Sequence, residues 1–308
     1  MNPLRLVFFG TQEFAKTILK SLVQDPEYDV VLVITQPDKP VGRKHVLTPP
    51  PVKVFCESEG IAYAQPESLK GYTLPVIDID IAVVAQYGKI LPKAIIDAPR
   101  FGTINVHTSL LPLYRGASPI QSALIDGQTE TGVTIMKMDE GMDTGPLLTQ
   151  QRVAISETAT YEQLDTLLAD VGATLLLKTL PQYISGIVVP QPQDNTRASM
   201  CRLFTREDGE IAWHKKTATE IYNQYRGMTP WPGVWTLWQG KRIKILAVFP
   251  HTKILTPGQV FFENNSLLVG TVDGSIEIQH VQLEGKNSMD AHTFVRGYPH
   301  FVGSVLGV

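Results

Sequence analysis

The sequence predicts an α/β N-terminal domain on a mostly parallel sheet, followed by a small all-β barrel. Three observations carry this. From Leu4 to Ile184, short apolar runs of strand length alternate with segments of helical spacing, the pattern of βαβ units. Val188 to Thr205, with its Pro-Gln-Pro-Gln-Asp-Asn core, has no period and reads as a linker. The chain after Trp231-Pro232-Gly233 holds short strand-like runs separated by the hairpin pairs Gln239-Gly240, Asn264-Asn265 and Asp273-Gly274. The expected division is 1–187, a linker at 188–205, and 206–308.

Taken in order, Leu4–Phe9 is a buried first strand ending in a turn at Gly10, and Thr11 can cap a helix whose inner face is Phe14, Ile18, Leu19 and Leu22. Asp29–Ile34 completes a Rossmann-like opening. However, Gly10-Thr11-Gln12-Glu13-Phe14 lacks the second and third glycines that let a backbone approach a pyrophosphate, so no dinucleotide is expected. Gln36–Pro51 is a long proline-rich loop carrying Lys39, Arg43, Lys44 and His45 against one acid, Asp38. It is either a solvated loop or a basic arm for phosphates. Val52–Ser58 suits a short helix. Asp80–Ala85 is a buried strand, and the Gln86–Pro92 segment after it turns at Gly88. Thr103–Val106 is the next strand. A helix starts at Ser118-Pro119 and stops before Gly127. Thr131–Met138 and Leu147–Ala154 are strands around a Gly- and Asp-rich loop. Tyr161–Ile184 has the spacing of a long helix. Ala218, Ile221, Tyr222 and Tyr225 form another helical stripe. Trp235, Trp238, Phe261 and Phe262 lie in the final strands, as core or as platforms for bases.

Composition narrows the function classes. Hydrophobic residues make up 43% and charged residues 19%, as in ordinary globular proteins, and no apolar run is long enough to span a membrane. No signal peptide is evident, and Cys56 and Cys201 have no metal-ligand spacing, so a reduced, cytoplasmic, metal-free protein is expected, as a monomer. A net charge of -3 gives no global field for nucleic acid, so RNA binding would need local basic patches.

The chemistry concentrates in Asn105 to Gly116. Residues i and i+2 of an extended chain share a face, so Asn105 and His107 project together. An amide donor beside an imidazole suits a carbonyl whose oxygen becomes negative. Asp143, in the later loop, can orient His107 if the fold brings them together. No Ser in a nucleophile elbow and no activated Cys is present, which points to direct attack by a substrate amine on a bound acyl donor. The plainer alternatives are strand-end capping for Asn105 and His107, a turn role for Asp143 and Asp139, loop capping by Ser109, and a surface charge for Arg115.

The runs Asn105-Val106-His107-x-Ser109-Leu110-Leu111-Pro112-x-Tyr114-Arg115-Gly116 and Asp139-x-Gly141-x-Asp143-Thr144-Gly145 resemble the signature of the folate-dependent formyltransferases. The resemblance implies 10-formyltetrahydrofolate as formyl donor and Asn105, His107 and Asp143 as catalytic residues. It also implies a folate site lined by Gln86, Tyr87, Gly88, Ile90, Leu91, Ser109, Leu110, Leu111 and Pro112. Phe9-Gly10-Thr11, Gln36-Pro37-Asp38-Lys39-Pro40, Pro51-Val52-Lys53, Pro230-Trp231-Pro232 and Glu284-Gly285-Lys286 resemble the members of that family that act on methionyl initiator tRNA. For those members the resemblance implies an OB-like second domain that helps to hold tRNA. It also implies an arm with Lys39, Arg43 and Lys44 at the acceptor stem. Here Lys44-His45-Val46 follows Arg43, where the family usually has glycine and further basic residues. Two other readings stay open: the same chemistry on an amino sugar nucleotide, and a non-catalytic RNA-binding protein. Hydrolysis of the folate donor to formate is a third.

Overall fold

The computed structural model describes residues 2–42 and 45–307, Val41 by its backbone alone. Its elements in chain order begin with β1 (Leu4–Gly10), α1 (Glu13–Gln24), β2 (Tyr28–Ile34), β3 (Lys39–Val41), β4 (Val46–Thr48), α2 (Pro51–Glu59), β5 (Tyr63–Ala64), β6 (Ile81–Ala85) and α3 (Lys93–Ile96). They continue with β7 (Thr103–His107), β8 (Arg115–Gly116), α4 (Pro119–Ile125), β9 (Glu130–Lys137), β10 (Leu147–Ala154), α5 (Tyr161–Ile184) and β11 (Met200–Cys201). The last are α6 (Ala218–Met228), β12 (Val234–Trp238), β13 (Lys241–His251), β14 (Val260–Glu263), β15 (Ser266–Gly270), β16 (Ser275–Leu283), β17 (Met289–Asp290) and α7 (Ala291–Gly297). Among the described residues, no helix is long and apolar enough to cross a membrane.

The chain forms two compact units. The first holds the chain up to Pro119, Glu130–Ile155 and Leu164–Arg202; the second holds Ile120–Thr129, Ser156–Gln163 and the chain from Leu203 on. The units are thus not consecutive stretches. Two short segments from within the N-terminal half join the second unit, and side chains of α6 account for both. Arg226 donates to the carbonyls of Ser156 and Ala159. Asn223 lies against Gly127, where a Cβ would come within 2.7 Å of its amide nitrogen.

The first unit is organised by a seven-stranded sheet of order β10-β9-β7-β6-β1-β2-β5. β1, β2, β5, β6 and β7 run parallel; at one edge β9 pairs antiparallel with β7, and β10 pairs antiparallel with β9. The strands read as continuous apolar runs because helices and loops cover both faces. α1 buries Phe14, Ile18, Leu19 and Leu22, the face expected from spacing. α5 joins it: Gly172 lets the helix approach Val106, Ile18 and Phe14 closely. On the other face Val7, Phe9, Leu32, Ile34 and Val84 pack against Ile95, Ile96 and Tyr87.

Two local expectations change. Thr11 does not cap α1, whose N-cap is Gln12; its hydroxyl donates to the Tyr87 carbonyl at 3.0 Å and ties β1 to the β6 turn. Gln36–Pro51 is not an irregular loop throughout, because β3 and β4 pair into a small antiparallel hairpin. Its base is anchored: Gln36 donates to the Tyr87 carbonyl, and Asp38 pairs with Lys53 at 2.8 Å.

The second unit centres on an antiparallel sheet of order β12-β13-β16-β15-β14, with β17 also on β16. Register shifts between Ile245 and Val248 interrupt the long β13, the kind of bulge that curls a sheet. The turns Gln239-Gly240 and Asn264-Asn265 both take the left-handed backbone of two-residue hairpins. Asp273-Gly274 instead belongs to a longer loop, where Asp273 accepts from the first amide of α6 and from Thr271. Trp213, Ile221, Val234, Ile245, Leu267 and Phe294 fill the core. Trp238 is core, against Phe294 and Phe301, and buried Trp235 lies 4.0 Å under the Arg242 guanidinium.

Candidate active site

Asn105 and His107 lie on β7, both buried, and both turn toward Asp143 from the β9–β10 loop. Asn105 Nδ2 donates to Asp143 Oδ1 at 3.3 Å, and His107 Nδ1 lies 3.6 Å from Asp143 Oδ2. The two-residue spacing therefore does place amide and imidazole on one face. His107 Nε2 is 3.0 Å from the Tyr114 carbonyl, which can only accept, so the ring hydrogen sits on Nε2. That leaves Nδ1 facing Asp143 Oδ2, too far for a hydrogen bond.

The motif residues around Asp143 have definite physical jobs. Asp139 accepts from the Gly141 amide and the Thr144 hydroxyl, so it folds the loop, the turn role among its plainer alternatives. Gly145 must lack a side chain, since a Cβ would stand 1.9 Å from the Lys137 carbonyl oxygen. The loop leaves Asp143 with a positive φ of 52°. Its carboxylate is fixed by the Gly116 amide at 2.8 Å. Gly116 in turn sits in β8, paired in parallel with β11.

The Ser109–Pro112 turn is locked to the edge strands. Ser109 donates to the Leu113 carbonyl, as loop capping requires, and its own carbonyl accepts from Thr134. The Leu111 amide donates to Thr134, and Gln150 donates to the Leu111 carbonyl. Leu111 is buried, and Leu110 packs beside Gly132. The Leu111-Pro112 peptide is cis.

β6, beside β7, delivers the Gln86–Leu91 segment. Gln86 has a positive φ and donates to Asp165. The Tyr87 ring points into the core against Phe9, with its hydroxyl buried and unpartnered, so its side chain is packing. Burial pushes that phenol up to about 12. Gly88 lies over the Gln36 side chain. Leu91 is core, whereas Ile90 is 83% exposed and lines an open hollow of about 380 Å³ with Leu69, Lys70 and Lys89. In the basic arm, Lys39 opens β3 and donates to Gln36. Gln65 and Lys53, bonded to Asp38, hold its carboxyl below the usual range. Arg43 and Lys44 lie outside the described residues.

Arg115 corrects one alternative: it is no surface charge but 5% exposed, donating to Gln193 Oε1 and Asn195 Oδ1. Both partners belong to the stretch expected as linker, which here runs beside the site. Ser199 accepts from the Tyr114 amide through its hydroxyl and from the Arg115 amide through its carbonyl. Gln193 donates to the carbonyls of Asp143 and Gly145. Sequence reasoning missed Gln193, Asn195, Ser199, Thr134 and Gln150. The one local cue was Asp194-Asn195-Thr196, where Asp194 caps a short turn through the Thr196 amide.

The model of the formyl transferase family matches residues 4–180, and that of the formyl transferase C-terminal domain matches 204–299. A methionyl-tRNA formyltransferase of Caldicellulosiruptor saccharolyticus is 44% identical over 98% of this chain and 99% of its own length. That of Halalkalibacterium halodurans is 44% identical over 99% and 98%. Among solved structures, an N-formyltransferase from Helicobacter canadensis, in complex with folinic acid and dTDP-3-aminofucose, aligns with a TM-score of 0.68 at 20% identity, covering 90% of this chain and 99% of that one. HypX from Aquifex aeolicus, in complex with tetrahydrofolic acid, aligns at 0.66 and 15% identity over 98% of this chain and 48% of that one. At such identities these two structures speak for the fold alone, whereas the family matches and the 44% relatives speak for descent: this chain belongs to the formyl transferase family, on its methionyl-tRNA formyltransferase branch.

Proposed function

We propose that the chain transfers the formyl group of 10-formyltetrahydrofolate to the amino group of methionyl initiator tRNA, with Asn105, His107 and Asp143 as catalytic residues. The observation that carries this is the convergence of one amide, one imidazole and one carboxylate on a single face of β7, in a chain of this family. The neutral amine attacks the formyl carbon, and the carbonyl electrons move onto oxygen. Asn105 Nδ2 directs one hydrogen at Asp143 and has a second for that oxyanion. His107 Nδ1, when it carries a proton, faces the same space, with Asp143 as counter-charge. The carbon–nitrogen bond to folate then breaks, and the proton lost by the amine passes to the departing folate nitrogen through His107, Asp143 or water.

In this reading Gln86–Leu91 and Ser109–Pro112 border the folate, the arm with Lys39, Arg43 and Lys44 meets the acceptor stem, and the chain from 206 onward helps to hold the tRNA. It would work as a cytoplasmic monomer. The deciding experiment supplies the purified protein and 10-formyltetrahydrofolate with methionyl-tRNA, free methionine, an amino sugar nucleotide, or no acceptor. Formylmethionyl-tRNA is expected. Transfer only to the sugar nucleotide, or formate release without an acceptor, would overturn the proposal.

A further inference from the structure

We propose that Gln193 is a positioning residue that sets the geometry of Asp143 by clamping the backbone of its loop; the inference rests on the formyl-transfer reading above. One side-chain amide makes four hydrogen bonds. Its oxygen accepts from Arg115 Nε at 3.1 Å and Arg115 Nη2 at 2.7 Å. Its nitrogen donates to the Asp143 carbonyl at 2.8 Å and the Gly145 carbonyl at 2.7 Å. The orientation of the amide is determined, because a guanidinium only donates and a carbonyl only accepts. Arg115, itself steadied by Asn195, thus selects the face that Gln193 presents to the loop.

The clamp acts where the backbone needs holding. Asp143 has a φ of 52°, a conformation sparsely populated for residues other than glycine, which persists only when its surroundings enforce it. The Gly116 amide fixes the carboxylate end of the same residue. Gln193 fixes the main-chain end, so the carboxylate reaches Asn105 and His107 from a doubly anchored residue. Gln193 reaches the reaction only through Asp143.

Three variants test this: Gln193→Met, which keeps the volume without the bonds, Gln193→Glu, which keeps the Arg115 partner but turns carboxylate oxygen toward two carbonyls, and Gln193→Ala. Each is assayed for formyl transfer with methionyl-tRNA at a temperature where circular dichroism shows it folded. A loss of about 10- to 100-fold in kcat is expected in all three, the scale of an ångström misplacement, with the folate KM changed far less. In an Asp143→Ala background, Gln193→Met should lower kcat no further, because the clamp has nothing left to position. Folded variants with wild-type kcat, or a Gln193→Met effect that multiplies undiminished with Asp143→Ala, would overturn the clamp. A wild-type protein that forms no formylmethionyl-tRNA would instead overturn the underlying reading.

Discussion

Gly116→Ala is a small change with an effect that can be worked from the structure. A Cβ at Gly116 would lie 2.2 Å from the Cys201 carbonyl oxygen and 3.6 Å from Met142 Sδ. An ordinary carbon–oxygen contact is about 3.3 Å, so β8 and β11 must part by about 1 Å. The pairing there includes the Arg115 amide to Ser199 at 2.9 Å and the Ala117 amide to Cys201 at 3.3 Å. Weakening it costs about 1 kcal/mol per bond. The φ of 114° adds about 1–3 kcal/mol for any residue with a Cβ. Together the first unit should lose on the order of 3 kcal/mol, or roughly 5–10 °C in its thermal transition. The same parting moves the amide that holds Asp143, so kcat should fall about 100-fold. Gly60→Ala is the control: Gly60 also has positive φ, but nothing lies within 4 Å of its added Cβ. Its backbone penalty should appear without loss of kcat. The assay pairs calorimetry with initial rates of formyl transfer measured below the transition. Gly116→Ala with both Tm and kcat no worse than Gly60→Ala would refute the idea that the strand pair carries Asp143.

Three further outcomes test the proposed function and the packing. Asn105→Ala and His107→Ala should each lower kcat by roughly 10²–10³ while the folate Kd, measured by equilibrium binding, moves little; near-normal turnover in a folded His107→Ala protein would remove the imidazole from the mechanism. Arg43→Ala should weaken tRNA binding and lower the salt slope of log K by about one ion, which filter binding at several salt concentrations would show. Burial pushes the Cys56 thiol up to about 11 and the Tyr87 phenol up to about 12, above the 9.0 and 10.0 of the free groups. The unfolded chain therefore loses these protons first, and stability present below pH 9 is lost as pH rises toward 12. Urea midpoints should fall across pH 9–11, less steeply in Cys56→Ala, and midpoints that stay level would contradict the burial argument.

What could be read in advance followed the physics of periodicity. The face of α1, the buried strands β1, β6 and β7, and the span of α5 came from apolar spacing, because each element buries enough side chains to leave a pattern. Asn105 and His107 were legible for a related reason: strand geometry alone fixes that i and i+2 share a face. The hairpin β3–β4 left no such trace, since it is three residues a side, contains a proline and keeps Val46 and Leu47 exposed. The stretch from Gln191 to Cys201 was opaque for a stronger reason. It contributes to the site through scattered hydrogen bonds, Gln193 to the Asp143 loop, Asn195 to Arg115, Ser199 to Tyr114, and through a two-residue strand beside β8. Such contacts join residues up to 87 positions apart, and polar side chains that meet only in the fold carry no period. Arg115 shows the consequence. Taken alone it is a charge expected in water; its burial makes sense only once the amide oxygens of Gln193 and Asn195 replace that water. Asn105, His107 and Asp143 were thus readable from β7 and one loop as groups that could meet, whereas Gln193, which holds the Asp143 loop, comes from a segment whose composition reads as a linker. A cut or insertion between Val189 and Ser199 should therefore lower kcat, and not merely loosen the connection between two units.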